Sequence, residues 1–428
     1  MASWRGSALR SLSPALSGAS NSALARQVMA SGQTNGNSSR SLCCESLFSE
    51  RCRKLPENPF VHLLPLMRDP EVKVLCQGVP PESTFPIKSL SVELVDGTKV
   101  ELNPKDASLA QRYAPFAWQP LRDWLLQHVQ TLHAPPAPAW DLAIGAGSMS
   151  SVDLVFDMLL DRGDVVLIEE YSFMASLDSL RSFGAEMLPI SMDEHGLRPD
   201  ALEAACEALD KAGRRAKLLY IVPVGQNPTG TVLASERYDE ILRIARRYGF
   251  LIIEDDAYFY EQHEARDSGP QAADGEPVLK TAPLPGQGDL PGLRRLGRTF
   301  LSLDIDGHVL RLDSFSKMLA PGFRLGWVTG PKALVEKYSA LAYVSSQWGS
   351  SLSLMILGRM LEAWGDAGLE ARLLELQGLL RARCRSLVVA VEDNLSGVAE
   401  WHSPRAGMFL WVKLLQPPED TARLLALM

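Results

Sequence analysis

The sequence predicts an α/β fold with a mostly parallel sheet covered by helices on both faces. Two observations predict it. Short runs that are apolar throughout alternate with longer stretches of helical spacing, and the conspicuous polar residues fall where the apolar runs end. Parallel neighbours need a crossover between them, commonly a helix, which produces that alternation. Such sheets gather their chemistry at the carboxyl ends of their strands.

The elements follow in order. VELVDGTKVEL reads as a hairpin turning at Asp96-Gly97. LRDWLLQHVQTLH places Leu121, Trp124, Leu125 and Val129 on one helical face. WDLAIGAG is a strand stopped by glycines, and SSVDLVFDMLLDRG is the helix after it. DVVLIEE is a strand, AKLLYIVPVGQNPTG is another that ends in a turn, and SERYDEILRIARRYGF is an amphipathic helix. FLIIEDDAYFY, HVLRLDSFSK and FRLGWVTGP are three more strands. Beyond residue 331 the spacing is helical until AEWHSPRAGMFLWVKL, which reads as a strand pair.

Bulk composition narrows the function. The chain has 428 residues, is 46% hydrophobic and 22% charged, and carries a net charge of -8. It is long enough for a sizeable core. It shows neither a dense basic stripe for nucleic acid nor an apolar run of the ~20 residues a membrane span requires. The six cysteines (Cys43, Cys44, Cys52, Cys76, Cys206 and Cys384) are irregularly spaced, which fits reduced thiols better than a disulfide framework or a zinc site. The first acidic residue is Glu45, after a serine-rich stretch containing Arg5, Arg10, Arg26 and Arg40. That is the composition of a mitochondrial or plastid transit peptide, with an unstructured tail as the alternative.

Lys317, in RLDSFSKMLAPGFRLGWVTG, has apolar flanks. Desolvation favours a neutral amine, and a neutral amine condenses with an aldehyde; pyridoxal phosphate is the common biological one. Ser314, Ser316 and Arg324 supply hydroxyls and a guanidinium suited to its phosphate. The backbone N–H groups of GSMSS, between a strand and a helix, suit the same group. Asp255, closing LIIEDD, can keep a pyridine nitrogen protonated, and Asn227 in QNPTG and Tyr258 can bond a phenolic oxygen.

The stretches QNPTG, LIIEDDAYF, DSFSKMLAPGFRLGWVTGP and AEWHSPRAGMFLWVKL, with a weaker match at GVPPESTFP, together resemble the fold-type I pyridoxal-phosphate enzymes. Among these the chain is most similar to class I/II aminotransferases of the 2-aminoadipate/kynurenine and aromatic amino-acid subgroup. The resemblance covers about residues 70–420. It implies a large domain with a mostly parallel seven-stranded sheet, a smaller α/β domain, and transamination between an L-amino acid and a 2-oxo acid such as 2-oxoglutarate. By the same resemblance Lys317 carries the cofactor and shuttles protons, Asp255 pairs with the ring nitrogen, and Asn227 and Tyr258 bond the phenolic oxygen. Ser148, Met149 through its backbone, Ser314, Ser316 and Arg324 hold the phosphate, and Phe173 stacks on the ring where the family usually has tyrosine. Tyr113 reaches the phosphate of a neighbouring subunit, which implies a homodimer with shared sites, and Gly78 lies near the substrate carboxylate.

The expected organisation is a leader over 1–54, an arm and part of the small domain over 55–110, a large domain over 111–335 with an insertion at 262–298, and linking helices with an incomplete small domain over 336–428. Trp118 replaces a family glycine, and the family's carboxylate-clamping arginine has no counterpart; Arg405 and Arg423 do not match its context. A C-terminally truncated chain that binds cofactor but turns over poorly is therefore the alternative reading. The leader implies a mitochondrial location, with plastid or cytoplasm as alternatives.

Overall fold

The structure is a computed structural model that describes residues 44–56, 63, 71–72, 78–113, 119–137, 139–263, 292–293 and 296–416. The leader before residue 44, most of the expected 262–298 insertion, Trp118 and Arg423 lie outside the described residues.

Helices α1 (Cys44–Leu47) and α2 (Glu50–Lys54) come first, then the hairpin β1 (Leu90–Glu93) and β2 (Lys99–Leu102) and helix α3 (Pro104–Ala110). Helix α4 (Gln119–Leu132), β3 (Trp140–Gly145), α5 (Ser148–Leu159), β4 (Val165–Glu169), α6 (Met174–Phe183) and β5 (Glu186–Ile190) follow. A small hairpin of β6 (Met192–Asp193) and β7 (Gly196–Leu197) leads to α7 (Pro199–Lys211), β8 (Ala216–Ile221), α8 (Ser235–Tyr248) and β9 (Leu251–Asp255). Strand β10 (Val309–Ser314) enters the one-turn helix α9 (Phe315–Met318), and β11 (Gly326–Pro331) returns. Helices α10 (Lys332–Ser346) and α11 (Ser351–Leu395) precede the pair β12 (Ala399–Trp401) and β13 (Val412–Leu414); the path of α11 breaks at Gly365.

Seven strands form the central sheet in the order β3-β11-β10-β9-β8-β4-β5. The pairs from β10 to β5 are parallel, whereas β11 runs antiparallel to both its neighbours. Period-two alternation splits each strand between two cores. Leu219, Ile221, Ile252 and Val309 face α4, α7 and α8. Leu218, Tyr220, Ile253, Leu310 and Leu312 face α5, α6 and α10. Each buried leucine or isoleucine contributes about 1.5–3 kcal/mol through loss of water contact. This two-faced burial is why the strands read as unbroken apolar runs.

Two expectations need correction. Residues 44–54 are not leader. Leu47, Phe48 and Cys52 are buried in the core beside α5, the Ser49 N–H donates to the Met158 carbonyl at 2.8 Å, and Arg51 pairs with Asp157 at 2.7 Å. Nor does packing divide the fold at 335: the described residues belong to one compact unit, and Leu334, Tyr338 and Leu341 of α10 pack on the sheet. The N-terminal hairpin and α3 pack on α11 through Leu102, Ala107 and Met355.

Fully buried Arg311 ties β10 to β9. Its guanidinium donates to Asp313 at 2.7 and 2.9 Å and to Asp256 at 2.7 Å, and it lies 3.2 Å from Glu254. Glu254 accepts the Phe300 and Leu301 N–H groups. Replacing Arg311 with Met should lower unfolding free energy by about 3–5 kcal/mol, the cost of stranding buried charge. The loss should be smaller at pH 5 than at pH 8. Burial pushes Asp313 up to about 6 and Glu254 up to about 7, so both are largely neutral in the acid. Urea unfolding at the two pH values checks this.

Candidate active site

The carboxyl ends of β3, β4, β8, β9 and β10 lie along one edge of the sheet, with the start of antiparallel β11 among them. Every informative turn of the sequence therefore arrives on the same side. Asp255 ends β9 opposite Leu312 of β10, and Lys317 follows β10 by three residues on α9.

Asp255 is placed by alternation. Glu254 and Asp256 point to the Arg311 face, so Asp255 between them points to the other. There its Oδ2 accepts the Tyr220 hydroxyl at 2.7 Å, and Tyr220 shares a 2.9 Å bond with Ser176. Its Oδ1 is shielded from solvent and has no partner among the described residues. Burial raises this carboxyl to about 6 against the hydrogen bond from Tyr220, which lowers it. A buried acceptor facing no donor is what a protonated ring nitrogen would satisfy.

The Asn227 Nδ2 donates to the Tyr258 hydroxyl at 3.3 Å, and the Lys317 Nζ lies 5.8 Å from the Tyr258 ring centre. Phe409 meets the same ring edge-on at 5.6 Å. The turn bearing Asn227 is anchored from behind by buried Glu169, which accepts the Val222 N–H at 3.0 Å and the Gln226 side-chain amide at 3.2 Å. From in front it is pressed against residues 406–409: a Cβ on Gly225 (φ +56) would meet the Gly407 Cα at 2.8 Å. Only paired glycines permit that approach.

The anion cradle is built at the start of α5. Gly147 (φ +94) is its N-cap and offers no side chain to the first N–H groups, so those of Ser148 and Met149 stay open for an external acceptor. Arg324, itself left-handed at φ +52, brings its Nη2 to 2.5 Å from where a Gly147 Cβ would stand. Its Nη1 donates to the Pro321 carbonyl at 3.2 Å and sits 3.5 Å from the Ser316 Oγ. The Ser314 Oγ caps α9 by accepting the Ser316 N–H at 3.1 Å, which leaves its hydroxyl hydrogen available. The uncapped helix start, the guanidinium and the unpartnered Asp255 oxygen fit pyridoxal phosphate at both its ends.

Three expected residues stand apart. Phe173 is half-buried and caps α6 after β4, without a ring partner among the described residues. Tyr113 is 46% exposed and Gly78 is exposed; neither hydrogen-bonds to this cluster within one chain. Sequence reading missed Tyr220, Ser176, Glu169 and Phe409. Tyr220 had a signal: it pairs in register with Ile253, so it shares a face with Asp255 on the adjacent strand.

This fold and site define a pyridoxal-phosphate enzyme. The family model for aminotransferase class I and II matches residues 108–425, and the chain belongs to that family. It is 33% identical to an aromatic amino acid aminotransferase of Schizosaccharomyces pombe, over 83% of this chain and 78% of that one. It is 35% identical to the mitochondrial kynurenine/alpha-aminoadipate aminotransferase of Bos taurus, over 79% of this chain and 76% of that one. The crystal structure of the aminotransferase Aro8 from Candida albicans superposes with a TM-score of 0.75 at 30% identity, covering 87% of this chain and 82% of that one. The chain is thus an aminotransferase that uses pyridoxal phosphate to exchange an amino group between an amino acid and a 2-oxo acid.

Gly147→Ala should weaken pyridoxal phosphate binding by roughly 10–100-fold, the loss of one or two good charge-assisted contacts as Arg324 is displaced. Titration of cofactor-free protein followed by absorbance measures this. Glu169 gives a pH signature. Burial pushes its carboxyl up to about 8, above the ordinary range near 4.3 that it has when unfolded. Its contribution to stability is therefore complete below about pH 4 and is lost as pH rises through about 8. Thermal melts of wild type and Glu169→Gln should converge toward, or cross at, alkaline pH, since glutamine does not titrate.

Proposed function

We propose that this aminotransferase acts on L-amino acids with aromatic, kynurenine or 2-aminoadipate side chains, with 2-oxoglutarate as the amino acceptor, in a mitochondrial homodimer whose subunits share sites. Support for the substrate class comes from the aromatic rim beside the cofactor residues. Tyr171 and Trp411 meet at 5.1 Å, both about two-fifths exposed, next to the Phe409–Tyr258 pair. Flat aromatic walls favour flat or extended apolar side chains. The names of the two curated relatives point the same way. The exposed hydroxyl-bearing ring of Tyr113 suits a contact across a subunit boundary. The arginine- and serine-rich leader and the mitochondrial relative support the location.

Pyridoxal phosphate supplies an electron sink that acidifies the substrate α-carbon. The roles left to the chain are these. Lys317 would hold the cofactor and, once released, carry the α-proton as its ammonium. The Asp255 carboxylate would keep the ring nitrogen protonated, and Tyr220 would hold that carboxylate in line. Asn227 and Tyr258 would bond the phenolic oxygen, Phe173 would cover the ring, and Ser148, Met149, Ser314, Ser316 and Arg324 would fix the phosphate. Proton transfer by a positioned amine is worth roughly 10²–10⁴-fold in rate.

Borohydride reduction of the loaded protein should fix the cofactor to the peptide containing Lys317 and to no other, as read by mass mapping. A label elsewhere rejects the assignment. Trp411→Ala should lower kcat/KM for aromatic donors by about tenfold or more, one aromatic contact's worth, and change it less for 2-aminoadipate. Equal losses for both donors would reject the aromatic rim as the source of preference.

A further inference from the structure

Behind Asp255 runs a hydrogen-bonded chain whose far end has no role in the reading above. Tyr220 is fully buried on β8, and its ring packs edge-on against Phe156 at 5.7 Å. A phenylalanine would pack there as well, so the hydroxyl is the part that needs a reason. Burying a hydroxyl is costly unless it is bonded. This one donates to the Asp255 Oδ2 at 2.7 Å and lies 2.9 Å from the Ser176 Oγ. Ser176 is also fully buried, in the first turn of α6, where its N–H donates to the Phe173 carbonyl at 3.0 Å.

Proton counting fixes the direction of the chain. An ionised carboxylate only accepts, so the single Tyr220 hydroxyl hydrogen is committed to Asp255. The Ser176 hydroxyl must then donate to the Tyr220 oxygen. Linked hydrogen bonds polarise one another, so the serine strengthens the bond that the tyrosine makes to the acid. Nearby charges do not replace this support. Arg311 lies on the opposite face, already joined to Asp313 and Asp256, and those two acids work against a charge on Asp255. Burial works against it most.

We propose that Ser176 is a positioning residue: acting through Tyr220, it holds the Asp255 carboxylate charged and in line for the ring nitrogen of the cofactor. The proposal rests on Asp255 facing that nitrogen, as read above. No bond forms or breaks at Ser176. Phe173 opens the same helical turn, so one end of α6 supplies both the proposed cover of the ring and the support of the acid.

The test titrates the cofactor-free full chain with pyridoxal phosphate and with its 1-deaza analogue, in which C–H replaces the ring nitrogen. Absorbance reads both affinities. Their ratio isolates the contact at Asp255, because all other groups of the two ligands are the same. Wild type should prefer pyridoxal phosphate by roughly 10–100-fold, the worth of one charge-assisted hydrogen bond. Tyr220→Phe should cut that preference about tenfold and Ser176→Ala about threefold. Added to Tyr220→Phe, Ser176→Ala should change the ratio no further, since the serine acts only through the tyrosine. A packing defect weakens both ligands together and leaves the ratio where it was. A ratio unmoved by Ser176→Ala, or moved equally with and without the Tyr220 hydroxyl, overturns the relay and leaves Asp255 in its role. Equal affinity of wild type for the two ligands rejects the reading of Asp255 and the relay with it.

Discussion

Everything at the active edge depends on how one guanidinium sits between two strands. Arg311 is fully buried and answers Glu254, Asp256 and Asp313 at once. Charges at this depth are tolerated only when they meet each other, so the side-chain directions at residues 254, 256, 311 and 313 are all determined on one face. Strand alternation then leaves Asp255 and Ser314 no choice but the opposite face, where the residues proposed to hold the cofactor gather. The guanidinium also stacks over Phe259 at 4.8 Å, which carries its constraint into the turn that ends at Glu261.

The site itself is a set of groups held in states they would not choose alone. The α5 start is left without a side-chain cap, and the Asp255 Oδ1 and the Glu261 carboxylate have no hydrogen-bond partner among the described residues. Each is an incomplete interaction, and a fold retains such features where a ligand or a reacting partner completes them. Glu169 shows the contrast. It is equally buried but accepts two hydrogen bonds, and its effect is to keep the Gln226-Asn227 turn in place.

The aromatic side chains divide the labour in a similar way. Tyr220 is sealed in the core, and among the described residues its hydroxyl bonds Ser176 and Asp255, so it orients the acid. Tyr258 is buried but presents its hydroxyl to Asn227 and its ring to Lys317. Tyr171 and Trp411 pack on each other and stay about two-fifths exposed.

By itself the sequence determined the sheet, because two-faced burial demands unbroken apolar strands and helical crossovers between them. It also marked the turns proposed to carry chemistry, since Lys317, Asp255, Asn227 and Ser148 each follow or close a short apolar run. Tertiary structure alone decided what meets them. Tyr220 lies 35 residues from Asp255, Glu169 lies 57 residues from Gln226, and Gly407 approaches Gly225 from 182 residues away (407 minus 225). Residues 44–54, grouped with the leader by their position ahead of the first apolar runs, are held by Leu47, Phe48 and Cys52. Contacts of that kind depend on which faces of distant elements come together, and period and propensity report only the direction a residue points, not what stands opposite.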